Sequence, residues 1–79
     1  SAMAGPVYYY DDFKNAATRF PKYLDKKLFI YEWARSWVKI VSFDKDVNLA
    51  KIEPFLPEQE WYKPIDMKFG PDGSLYVLQ

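Results

Sequence analysis

The sequence predicts an all-β fold of six short strands, four in sequence and then a β-hairpin after a proline-bounded loop. Three observations predict it. Phe69-Gly70-Pro71-Asp72-Gly73-Ser74-Leu75-Tyr76-Val77 reads as strand, tight turn, strand. Pro71 presets φ for the first central position of a type I turn, Asp72 suits the second, and Gly73 can take the φ > 0 position that follows. Leu49 to Phe55 alternates, with Ala50 and Ile52 on one side and Lys51 and Glu53 on the other, as in a half-buried outer or edge strand. Leu28-Phe29-Ile30-Tyr31 is apolar on both alternating faces, the pattern of a strand covered on both sides.

Taken in order, Val7-Tyr8-Tyr9-Tyr10 is a short β-prone run after the helix breakers Gly5-Pro6, and it gives a first strand over about 7–10. Asp11 to Arg19 is polar, either a surface loop or one or two helical turns N-capped by Asp11 or Asp12. Asp25-Lys26-Lys27 is a turn. The second strand runs over 28–33 and Ala34-Arg35-Ser36 connects it to the third, 37–43, which carries Val38 and Ile40 on one face and Val41 and Phe43 on the other. A single buried helix over 28–43 is the rival reading, but the apolar residues there form no stripe. Asp44-Lys45-Asp46-Val47-Asn48 is a turn by composition, and the fourth strand, 49–55, ends at Pro54 and Pro57. A loop carrying Trp61 and Tyr62 leads through Pro64 into the last two strands, 65–69 and 74–78.

Composition removes several functions. The chain has 79 residues, room for one small domain with a thin stability margin. Its 11 basic and 11 acidic residues balance, so net charge favours neither nucleic acid nor an anionic membrane. Without Cys there is no disulfide and no thiol chemistry, and without His the commonest general base and transition-metal ligand is missing. Residues 1–5 have no basic, apolar signal-peptide character, and Leu28 to Tyr31, the longest apolar run, is too short to span a bilayer.

Several segments together carry a resemblance: Ala4-Gly5-Pro6-Val7-Tyr8, Phe20-Pro21-Lys22-Tyr23, Lys27-Leu28-Phe29-Ile30-Tyr31-Glu32-Trp33, and Pro64 through Leu78 with its Pro-Asp-Gly-Ser-Leu-Tyr-Val hairpin. From Ala4 onward the chain resembles the glucose/sorbosone dehydrogenase family, soluble pyrroloquinoline quinone (PQQ)-dependent sugar dehydrogenases, and within that superfamily the propellers of large secreted Bacteroidetes-type proteins. The resemblance implies a six-bladed β-propeller of four-stranded antiparallel blades. Residues 4–56 would be one complete blade, and 57–79 a loop and the first two strands of the next. The expectation is a structural piece of a larger periplasmic or secreted protein, inactive by itself. Its partners would be the remaining blades, a sugar, or further copies of itself, the last through uncovered faces or exchange of the 65–78 hairpin.

The same resemblance implies PQQ and calcium in the parent protein and a histidine base that this chain lacks. Arg35 and Lys63 fall where the family places basic side chains against the quinone, while Ala34 stands where the family has a lysine. Each is otherwise a solvated loop cation, and Glu32 is placed to pair with Arg35. Trp33, Trp37 and Trp61 are candidates for a sugar-stacking platform, with packing between blades as the alternative. Asp44, Asp46 and Asn48 match the opening of a calcium loop, but neither its Gly nor its closing Glu follows. Val47 occupies a position that is Gly in the family. If the turn needs φ > 0 there, a β-branched residue is strained. Two further classes remain beside the dehydrogenase fragment: a non-catalytic carbohydrate-binding or interaction repeat, and a chain whose function is self-assembly.

Overall fold

The computed structural model describes all residues, Ser1–Gln79, and it is all-β with no α-helix. Its six strands are β1 (Met3–Val7), β2 (Leu28–Glu32), β3 (Trp37–Phe43), β4 (Leu49–Pro54), β5 (Asp66–Phe69) and β6 (Leu75–Leu78). The first four form an antiparallel sheet in the order β1-β2-β3-β4, and the last two form a separate antiparallel hairpin. The single-helix alternative for 28–43 is therefore excluded.

The first strand lies earlier than the β-prone tyrosines suggest. β1 covers Met3 to Val7 and contains both Gly5 and Pro6, with a register irregularity between Ala4 and Val7. Pro6 is tolerated because β1 is an edge strand, where a missing N–H costs no ladder bond. Gly5 serves a close approach, since a Cβ there would meet the Phe29 carbonyl at 2.9 Å and the Met67 sulfur at 3.3 Å. Tyr8 is not a strand residue but a fully buried core side chain. Tyr10–Phe13 forms a short 3-10 helix, entered from Tyr9 with no side-chain cap, so Asp11 and Asp12 sit within its first turn rather than capping it. A second 3-10 helix spans Lys22–Leu24.

The core lies between one face of the sheet and the inner face of the hairpin. Phe29, Tyr31, Val38 and Ile40 point from the sheet, and Met67 comes from β5, with Phe69, Leu75 and Val77 beside it. Tyr8, Leu24 and Phe55 close the cluster, and Phe13, Phe20 and Trp61 pack against it. The rings contact in tilted and edge-on pairs, among them Phe29 with Phe55 at 5.0 Å and 80° and Tyr8 with Phe69 at 4.8 Å. Two polar links fix the layers: Tyr31 Oη donates to the Ile65 carbonyl at 3.1 Å, and Tyr8 Oη to the Phe20 carbonyl at 2.6 Å.

One copy therefore covers one of the two apolar faces of β2 and β3 by itself. Cross-strand register places Leu28 opposite Val41, Val41 opposite Ile52, and Phe43 opposite Leu49 on the other face. None of these joins the core cluster, although Val41, in the middle of the sheet, is buried. Phe43, Ile52 and Leu49 are 40%, 50% and 61% exposed. With Ile30 they make a largely apolar sheet face open to solvent.

Candidate functional site

Four of the residues singled out from the sequence, Glu32, Trp33, Arg35 and Lys63, meet at the β2–β3 connection. Glu32 ends β2 with its side chain almost wholly buried. Arg35 Nε lies 3.5 Å from the Glu32 carboxylate and the N-terminal ammonium of Ser1 lies 3.9 Å from it. The Arg35 side chain is 79% exposed, so this pair contributes no more than about 1 kcal/mol. Lys63 comes from the distant 55–65 loop. Its backbone N–H donates to Ser36 Oγ at 3.2 Å, and its ammonium stands over the Trp33 ring at 4.0 Å. Ser36 and Lys63 both have positive φ, +52° and +46°, so tight backbone at both positions brings the two loops together.

Trp33, Arg35 and Lys63 thus share one rim, but the three tryptophans do not form one platform. Trp37 lies opposite Glu32 in the sheet and carries the Lys39 ammonium over its ring at 4.3 Å. Trp61 is on the core side, stacked on Phe55 at 6.2 Å with its indole N–H donating to the Phe55 carbonyl at 3.4 Å. A sequence pattern marks an aromatic residue as sticky but does not say which layer takes it up.

Arg35 is paired with Glu32, Lys63 stacks on Trp33, and no group of three or more carboxylates converges anywhere in the fold. The Asp44 carboxylate serves its own turn, with one oxygen accepting from the Asp46 and Asn48 N–H groups at 2.9 and 3.0 Å.

Two side-chain clusters had no signal in the sequence. Arg19 lies with its guanidinium 3.6 Å over the Tyr10 ring, donates to Tyr10 Oη at 2.6 Å, and reaches the Tyr10 and Phe13 carbonyls at 3.4 Å. This ties the polar 11–19 stretch back onto its own 3-10 helix. The second cluster holds the β5–β6 turn. Asp72 accepts from the Ser74 N–H at 3.1 Å and from Tyr76 Oη at 2.9 Å, and Thr18 Oγ1 donates to the Asp72 carbonyl at 2.6 Å. The Ser74 N–H first, and the Tyr76 hydroxyl second, hold the Asp72 carboxyl below its ordinary range, and that carboxylate pushes the Tyr76 hydroxyl up. Both groups are structural, since they stabilise a turn.

No helix is long and apolar enough to cross a membrane. Comparison with known proteins finds no matching family, no matching curated protein and no matching solved structure.

Proposed function

We propose that the chain is a non-catalytic packing unit: one four-stranded blade and the opening hairpin of the next, from a β-propeller of the glucose/sorbosone dehydrogenase kind. The observation that carries this reading is the open face of Leu28, Ile30, Val41, Ile52, Phe43 and Leu49, on a sheet whose other face already carries a hairpin. In a propeller, each sheet is covered on both faces by its neighbours. The close approach of β1 to β5 at Gly5 also suits that arrangement, because the first strands of adjoining blades run side by side at the hub. In the parent protein, the open face meets the preceding blade, and any quinone or sugar chemistry belongs to residues outside this chain.

The second reading, a ligand contact at the rim, is favoured by the Lys63 ammonium over Trp33 and the exposed Arg35 beside it. It gives the chain two cations for an anionic quinone or sugar acid and no base. Incubation of the purified chain with PQQ, calcium, glucose and a reducible dye tests the non-catalytic reading. No dye reduction above the protein-free blank is expected, and turnover above that blank overturns it.

A further inference from the structure

We propose that β4 is a homodimerisation edge, pairing antiparallel with β4 of a second copy in one register, centred on Ile52. The contact uses the strand's edge and does not depend on what covers the open face.

β4 is the outer strand of its sheet and pairs only with β3. The Phe55 N–H bonds the Val38 carbonyl at 3.0 Å, and the register continues that pairing through Ile40 opposite Glu53 and Ser42 opposite Lys51. Bonded and non-bonded pairs alternate along an antiparallel ladder. Glu53 and Lys51 therefore direct their N–H and C=O groups to β3, while the Ile52 N–H and C=O and the Pro54 C=O point outward, free to pair. The strand is limited at both ends. A register irregularity between Ser42 and Phe43 places the extra residue near Ala50, and Pro54 has no N–H to donate. Such features guard an edge against open-ended stacking and leave a short stretch around Ile52.

Charge then selects the register. Lys51 and Glu53 lie on the same side of β4, 3.8 Å apart, and their side chains are 64% and 40% exposed. With Ile52 opposite its own copy, each Lys51 lies opposite the other chain's Glu53, and the two Ile52 backbones exchange reciprocal hydrogen bonds. Sliding by one step in one direction sets Lys51 against Lys51, and in the other sets Glu53 against Glu53. Like charges directly opposite destabilise a pair, and opposite charges stabilise it. The outcome is an isologous contact that closes at two copies. Its small area makes it a weak, concentration-dependent dimer.

Sedimentation equilibrium of the full chain, with Lys51→Glu and Glu53→Lys, tests this. Both sites are on the surface, and circular dichroism checks that each variant keeps its fold. Wild type is expected to associate at least to the dimer, each variant to weaken the β4 dimer step by about tenfold, and an equimolar mixture of the two variants to restore that step as a mixed dimer. A wild-type chain monomeric at every accessible concentration overturns the proposal. So does association that survives unchanged in both variants. If that surviving association is lost in Ile30→Lys, the open face carries it, and the packing-unit reading stands without this edge.

Discussion

Val47 and Gly73 hold the same backbone conformation at the same place in two turns of one geometry. Val47 has φ +63° and Gly73 has φ +76°. In the β3–β4 turn, the Val47 N–H bonds the Asp44 carbonyl at 3.0 Å and the Asp44 N–H bonds the Asn48 carbonyl at 2.9 Å. In the β5–β6 turn, Gly73 and Gly70 bond at 3.0 Å, as do Gly70 and Ser74. Each is a type I turn followed by a left-handed residue, the loop that closes many three-residue hairpins. Gly73 takes that conformation freely, whereas the Val47 side chain makes it strained.

Val47→Gly is therefore expected to stabilise the fold. A bulky residue held in this region costs of order 1–3 kcal/mol. The greater freedom of glycine in the unfolded chain returns about 0.5–1 kcal/mol of that. Val47 is 78% exposed, so little packing is lost. The net gain is about 1 kcal/mol, a rise in Tm of roughly 4–8 °C for a domain of this size. A lower Tm by differential scanning calorimetry contradicts this.

Gly73→Ala is expected to act in the opposite direction. A Cβ at Gly73 would lie 2.6 Å from the Arg19 Cα, so the added methyl meets backbone as well as an unfavourable φ. A loss of about 1–3 kcal/mol in urea unfolding is expected. An unchanged midpoint would mean that the 11–19 stretch is not held against the turn.

Much of this fold was legible because turn chemistry and strand period are local. Pro71-Asp72-Gly73 specifies its turn by residue type, and the strain at Val47 follows from knowing which turn position it fills, but the half-burial expected from the alternation of β4 fails, because one copy leaves that strand exposed along nearly its whole length and Ile52 lies on the open face. β1 was misplaced because Gly5-Pro6 reads as a breaker unless the strand is known to lie at an edge, which only the assembled sheet decides. Tyr8 looked like a strand residue because β-propensity does not separate a strand side chain from a core aromatic after the strand ends. The rim of Trp33, Arg35 and Lys63 was legible as residue types. The Lys63 stack was not, because it depends on two loops meeting where Lys63 reaches Ser36, 27 residues away in the numbering. The uptake of Trp61 by Phe55 is likewise a tertiary choice.

The Asp72–Tyr76 pair sets a pH window. The Asp72 carboxyl is lowered in the folded state, so its contribution is present above the unfolded value near pH 4 and is lost as pH falls through the folded value. The Tyr76 hydroxyl is raised, so its contribution is present below about pH 10 and is lost as pH rises through its folded value. Thermal melts of Asp72→Asn should show a shallower acid limb than wild type. The variant keeps an alkaline limb from Tyr8, whose hydroxyl burial also pushes up. An acid limb identical to wild type would remove Asp72 from the account.

Tyr8→Phe isolates one core hydrogen bond. The Tyr8 ring is fully buried, and its hydroxyl is the donor to the Phe20 carbonyl at 2.6 Å. Removing it leaves that carbonyl short of a partner while keeping the ring contacts with Phe13 and Phe69. A loss of about 1–2 kcal/mol in urea unfolding is expected. No loss would show that water replaces the donor.

As a packing unit, the chain needs a partner on the sheet face opposite the hairpin. Ile30 lies on that face, between the strands that carry Ala4 and Lys39 opposite it, and outside the core cluster. Sedimentation equilibrium of Ile30→Lys beside the wild-type chain tests the claim most directly. The wild-type mass should rise with concentration past that of a dimer of the 9.4 kDa chain, while the variant should go no further than the dimer. Identical mass curves for the two chains would contradict it.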